Sequence, residues 1–117
     1  MAILMIEDEF LVAAEIRFHL EAAGFHEVQH AATERDALTA IHARDWDAAV
    51  VDANLNGRGI DGIAKALFAK QIPFVVVTGY GRKGLSKALT DIPVIDKPFQ
   101  PQTLVNMVAR LCGQTSG

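Results

Sequence analysis

Ala2–Gly24 reads AILMIEDEFLVAAEIRFHLEAAG, and its two halves follow different periods. Residues 2–6 form an unbroken apolar run of strand length, the pattern of a strand covered on both faces. Glu7-Asp8-Glu9 ends that run. From Phe10 the spacing becomes helical: Val12, Ile16, Leu20 and Ala23 share a stripe, and Gly24 stands where a helix stops. A buried strand feeding straight into a helix is the opening of a β–α–β unit, whose strands pair in parallel.

The rest of the chain repeats the alternation. Phe25–Ala31 reads as a more polar strand suited to a sheet edge. Thr33-Glu-Arg-Asp36 resembles a capping box, and a helix follows to about Arg44 with Ala37, Leu38 and Ile41 inward. Asp47–Val51 is the third strand. Ile60, Ile63, Ala64, Leu67 and Phe68 match the i, i+3, i+4, i+7, i+8 template of a helix. Pro73–Val77 is a β-branched buried strand, Leu85–Leu89 a short weak helix, and Ile92–Ile95 the last strand. Pro101 suits a helix start, with Leu104, Val108 and Leu111 carrying the fifth helix toward Cys112. Five βα units imply an α/β fold with helices on both faces of a parallel sheet and right-handed crossovers.

The 117 residues are 50% hydrophobic and 21% charged, enough apolar content for one core and too much for a disordered chain. With 11 basic and 14 acidic residues the net charge is −3, which argues against a nucleic-acid or anionic-membrane surface. No apolar run approaches the roughly 18–20 residues needed to span a bilayer. The N-terminal run turns acidic at Glu7, unlike a signal peptide. The single cysteine, Cys112, has no partner for an internal disulfide. The expectation is one cytoplasmic domain over residues 1–112, with 113–117 (GQTSG) as a flexible tail.

In open α/β sheets, ligands bind beyond the carboxyl ends of the strands at a topological switch point. The first strand delivers Glu7-Asp8-Glu9 to that edge, the third Asp52, the fourth Thr78-Gly79 and the fifth Asp96-Lys97-Pro98. A flavodoxin-like strand order, 2-1-3-4-5, puts Glu7, Asp8 and Asp52 in one crevice flanked by Thr78 and Lys97. Carboxylates a few ångströms apart repel by about 1–4 kcal/mol per pair at effective dielectrics of about 80 to 20. A hard divalent cation such as Mg²⁺, with its preference for oxygen, and the Lys97 ammonium would offset that repulsion. A carboxylate, a divalent ion, a hydroxyl and an ammonium make a phosphoryl-transfer site, in which the carboxylate attacks phosphorus and forms an acyl phosphate.

The set Glu7-Asp8, Asp52, Thr78 and Lys97-Pro98 resembles the receiver domain of two-component response regulators, over about residues 1–112. The resemblance implies a flavodoxin-like (βα)5 three-layer sandwich with Asp52 as phosphoacceptor. It implies a Mg²⁺ site made by Asp8 and Asp52, by Glu7 mainly through water, and by the backbone carbonyl of Asn54. Thr78 becomes the switch hydroxyl, Gly79 the small residue beside the phosphate, Lys97 the phosphate-binding lysine, and Lys97-Pro98 a cis peptide. Pro73–Gly81 (PFVVVTGYG) is similar to the PFxFATGY signature of the FATGUY receivers, with Val76 and Val77 departing from it. The usual switch aromatic, three before the lysine, is Val94, and the proline often found four past the acceptor is Asn56. Tyr80 is the candidate replacement for the missing aromatic. The implied partners are a histidine kinase or histidine phosphotransfer protein, and a downstream protein on the face of the fourth helix, last strand and fifth helix. The expected form is a stand-alone receiver, monomeric or dimerising on phosphorylation, with no nucleic acid, no membrane and no enzymatic turnover beyond its own slow dephosphorylation.

Other motifs carry plainer readings. Glu9 is a solvated first-turn charge, and Trp46 covers the end of the second helix. Cys112 is a small half-buried hydrophobe. His26 and His30 are about 13 Å apart along a strand, and with His19 and His42 they read as surface residues. Gly79-Tyr-Gly-Arg-Lys-Gly84 is a literal GxGxxG, but it follows the fourth strand and precedes a helix too short for a dinucleotide site. A haloacid-dehalogenase-like phosphatase would need a second Asp two past the nucleophile as general acid, and that residue is Asn54. A receiver fold used only for docking is the third alternative.

Overall fold

In a computed structural model, residues 1–57, 59–79, 81 and 85–115 are described. In chain order the elements are β1 (Ala2–Ile6), α1 (Phe10–Ala22), β2 (Glu27–Ala31), α2 (Glu34–Ala43), β3 (Ala48–Asp52), α3 (Asp61–Ala69), β4 (Phe74–Thr78), a 3-10 turn at Lys87–Leu89, β5 (Val94–Asp96) and α4 (Pro101–Thr115). The five strands pair in parallel in the order β2-β1-β3-β4-β5, the flavodoxin-like arrangement expected.

Strand period divides the core in two. Leu4, Ile6, Ala49, Val51, Phe74 and Val76 face α2 and α3, together with Ile41, Ile63 and Leu67. Their sequence neighbours Ile3, Met5, Ala48, Val50, Val75 and Val77 face α1 and α4, with Ile16, Leu20, Leu104 and Val108. Strands covered on both sides need continuous apolar runs, which is why β1, β3 and β4 read as they do.

Several boundaries differ from the sequence expectation, each for a local reason. α1 buries Ala13, Ile16 and Leu20, with Val12 half-buried, while Ala23 lies exposed past the helix end. The helix is apolar around most of its circumference, so periodicity did not select the buried stripe. Gly24, at φ 104, ends it: its N–H donates to Glu21 and the N–H of Phe25 donates back to Leu20 at 3.0 Å, the paired bonds of a Schellman stop. Phe25 is thereby used in the turn and β2 starts at Glu27. Thr33 caps α2 by accepting from the Asp36 N–H at 3.0 Å. In that helix Leu38 is only half-buried, and Ala40 joins Ala37 and Ile41 inside. In α3, Phe68 stays 45% exposed.

The fourth helix is reduced to the three-residue 3-10 turn, started by the Ser86 hydroxyl accepting from Ala88 N–H. Leu85 and Leu89 are its only large apolar pair, too little to stabilise a nucleated α-helix. Pro93 has no N–H to give to the ladder, although its carbonyl accepts from Val76, so β5 begins at Val94. α4 runs on to Thr115, three residues past the boundary expected at 112. Trp46 is buried beside α2, its indole N–H donating to the Ala40 carbonyl at 2.8 Å and its ring stacked under Arg44. Cys112 is buried among the α1–α4 side of the core, and burial pushes its thiol pKa up.

Candidate functional site

Parallel strands end at one edge, and register decides which residues meet there. Ile6 pairs with Val51 and Asp52 pairs with Val77, so the residues just past β1 and the last residues of β3 and β4 arrive together. Glu7 continues the ladder one step, its N–H donating to the Ala31 carbonyl at 3.0 Å. Asp52 and Thr78 are the final residues of their strands, so each is held by regular backbone pairing.

Glu7, Asp8 and Asp52 each place a carboxylate oxygen within 4.8 Å of the other two. Glu7 and Asp52 are 3% and 5% exposed, and Asp8 is half-buried. Lys97 reaches in from the end of β5, its Nζ 3.5 Å from Asp52 Oδ1 and 3.8 Å from Glu7 Oε1. The Lys97 N–H donates to the Thr78 carbonyl at 2.8 Å, which ties the lysine to the end of β4, and the Lys97–Pro98 peptide is cis. Thr78 is 3% exposed. Gly79 is exposed, and a Cβ there would meet nothing within 4 Å, so the space beside Thr78 is open. The Asn54 N–H donates to Asp52 Oδ1 at 3.1 Å, while its carbonyl accepts from Gly57 at 3.4 Å.

Burial raises the Glu7 carboxyl pKa to about 8, and the adjoining Asp52 and Asp8 carboxyls add to the rise against the opposing bond from Glu9 N–H. Burial also acts upward on Asp8, but its bonds to Asp52, Glu7 and the Asn56 N–H outweigh that and hold it below the usual carboxylate range. Without a cation, the rise favours the protonated form of Glu7. The donor set fits Mg²⁺ in kind: three carboxylates offer hard oxygens that lie within 4.8 Å of one another.

Two residues near the cluster escaped the sequence reading. His30, expected at the surface, is half-buried: its Nε2 bonds the Glu7 carbonyl and its ring meets Phe10 edge-on at 5.5 Å. The alternation of β2 held a signal, since Val28 and His30 are its half-buried positions between exposed Glu27 and Gln29. Asn56 bonds both Asp8 and Ala32. Of the remaining candidates, Val94 is half-buried and packs against the α2–α3 side of the core. Tyr80 and most of the glycine-rich loop after it lie outside the described residues.

A doubly wound parallel sheet thus brings an acidic cluster and a lysine together at its switch point. The chain matches the response regulator receiver domain over residues 3–109 and belongs to that family. No curated protein matches it. Among solved structures it is similar to SdrG from Sphingomonas melonis Fr1, at 34% identity, a TM-score of 0.80 and 94% coverage of both chains. A CheY-like receiver domain from Methylobacillus flagellatus is 27% identical, with a TM-score of 0.81 over 94% of this chain and 97% of that one. The receiver domain of the sensor histidine kinase PA1611 from Pseudomonas aeruginosa PAO1, solved with magnesium in its active-site cleft, shares the fold at 20% identity and a TM-score of 0.84, over 96% and 97% of the chains. Receiver domains are signalling phosphoacceptors rather than enzymes in the ordinary sense. Among the described residues no helix is long and apolar enough to cross a membrane.

Proposed function

We propose that Asp52 accepts a phosphoryl group from a phosphohistidine of a histidine kinase or histidine phosphotransfer protein, and that the phosphorylated chain signals by protein contact. The observation that carries this reading is the Asp52 carboxylate, buried at a strand end with Lys97 Nζ 3.5 Å away and two further carboxylates beside it. An Asp52 oxygen attacks phosphorus in line with the departing imidazole nitrogen. The P–N bond breaks, its electron pair returns to the ring, and a proton from solvent completes the neutral imidazole. Lys97 stays paired with the transferred oxygens, the Thr78 hydroxyl donates to one of them, and Gly79 leaves them room. Asp8, Asp52 and the Asn54 carbonyl, with Glu7 beside them, would hold Mg²⁺, which when bound supplies positive charge at the phosphoryl oxygens. Asn54 carries no acid for protonating a leaving group, so steady phosphatase turnover is not provided.

A donor protein must approach over the edge where α1 begins. Phe10, Leu11 and Phe18 on that helix are 72%, 88% and 67% exposed. Val12, Ile16, Pro98 and Phe99 line a groove alongside, together with the charged Glu9, Glu15 and Lys97. That surface suits the donor, leaving the face of the 3-10 turn, β5 and α4 for output. The PFVVVTGYG segment supports placement among the FATGUY receivers.

The test is labelling with acetyl phosphate in Mg²⁺, read by intact-protein mass. The parent gains one phosphoryl group, and Asp52→Asn gains none while keeping its circular-dichroism spectrum. Millimolar Mg²⁺ raises the melting temperature of the parent by mass action. Label retained in Asp52→Asn moves the acceptor elsewhere, and a parent that never labels becomes a docking module.

A further inference from the structure

We infer that Asn56 is a positioning residue that holds Asp8 in the acidic cluster by tying together the loops that follow β1, β2 and β3. This rests on the reading of Glu7, Asp8 and Asp52 as the metal site. The Asn56 backbone N–H donates to Asp8 Oδ2 at 3.2 Å, and its carboxamide Nδ2 donates to the Ala32 carbonyl at 3.0 Å. One residue of the β3–α3 loop thus grips both neighbouring loops.

The backbone makes this possible. Asn56 has φ 52 and Gly57 follows at φ 75. Asparagine is among the few L residues that enter the left-handed region at small cost. A proline at this position could neither reach φ 52 nor donate an N–H. Asp8 is half-buried and lies beside the Asp52 carboxylate, whose like charge favours a swing toward water. The Asn56 N–H opposes that swing with a charge-assisted bond. On the other side of the pair, His30 holds the Glu7 carbonyl. The cluster is therefore held by Asn56 of the β3–α3 loop and by the His30 ring of β2 before any cation arrives.

Two variants of the full chain separate the contacts. Asn56→Gly keeps the left-handed backbone and its N–H but loses the carboxamide, whereas Asn56→Pro loses both. Mg²⁺ titrations followed by backbone amide shifts should show affinity about tenfold weaker in Asn56→Pro and a few-fold weaker in Asn56→Gly. Asn56→Gly carries the test alone if the proline variant does not fold. A second arm needs no metal: the Asn56 amide should exchange with solvent about tenfold faster in Asp8→Ala than in the parent. Parent-like Mg²⁺ affinity in the variants overturns the proposal, as does an Asn56 exchange rate indifferent to Asp8→Ala. If the parent itself binds no Mg²⁺, the metal reading falls, and the exchange arm alone decides whether Asn56 holds Asp8.

Discussion

β1, β3 and β4 each bury all five of their residues, whereas β5 is three residues long and buries only Ile95. The first three are covered by full helices on both faces. Over β5, on the α2–α3 side, the cover is a three-residue turn with Leu85, Leu89 and Ile92. The acidic cluster is built on the first region, and Lys97 comes from the second. Under the proposed function that division suits the chemistry: an acceptor carboxylate held in place favours in-line attack, and a more loosely supported counter-charge can adjust to the new group.

Truncation is the strongest way to break that contrast. Leu4→Ala, at a fully buried position of β1, should cost about 2–5 kcal/mol in denaturant unfolding. Val94→Ala, half-buried on β5, should cost about 1 kcal/mol. Equal losses would mean that the two regions are packed alike.

The carboxylates provide a pH test of the rigid side. Glu7 has its folded pKa raised from 4.5 to about 8 by burial and then by its acidic neighbours. Between those values the folded chain binds the extra proton, so this contribution is full below pH 4.5 and is lost as pH rises through about 8. Metal-free protein should therefore lose stability from pH 4.5 toward 8, and Glu7→Gln should flatten the slope. A rising curve over that window in the parent would reverse the assignment of the proton to Glu7.

Caps give the smallest effects. Thr33→Ala should cost about 1 kcal/mol, because it uncaps the ten-residue α2. Ser86→Ala, whose hydroxyl starts only a three-residue turn, should cost a few tenths by the same denaturation measurement. A larger loss at Ser86 would show that the turn carries more of β5 than its packing indicates.

Much of this was readable along the chain. Apolar runs of strand length announced β1, β3 and β4, because a strand covered on both faces has no polar positions to spare. Acidic and hydroxyl residues at the ends of those runs, and the lysine after β5, announced the site, because parallel strands deliver their ends to one edge. The α1 stripe was harder to read. Its circumference is largely apolar, and only contact with the sheet chose Ala13 over Ala23 and left Phe10, Leu11 and Phe18 outside. The fourth helix failed because five residues with one apolar pair cannot repay the cost of a helical nucleus.

Taken by itself, the amino-acid order determined element types, their alternation and the chemical inventory of the strand ends, since each depends on neighbours a few residues apart. The tertiary structure decided distances: 3.5 Å between Lys97 and Asp52, 45 residues apart in the chain, and the bonds from Asn56 to Asp8 and from His30 to Glu7. Those follow from sheet register and loop conformation, which periodicity does not record. The raised Glu7 pKa also belongs to the tertiary level, because a carboxyl acquires it only when the folded chain removes water and brings Asp52 and Asp8 alongside.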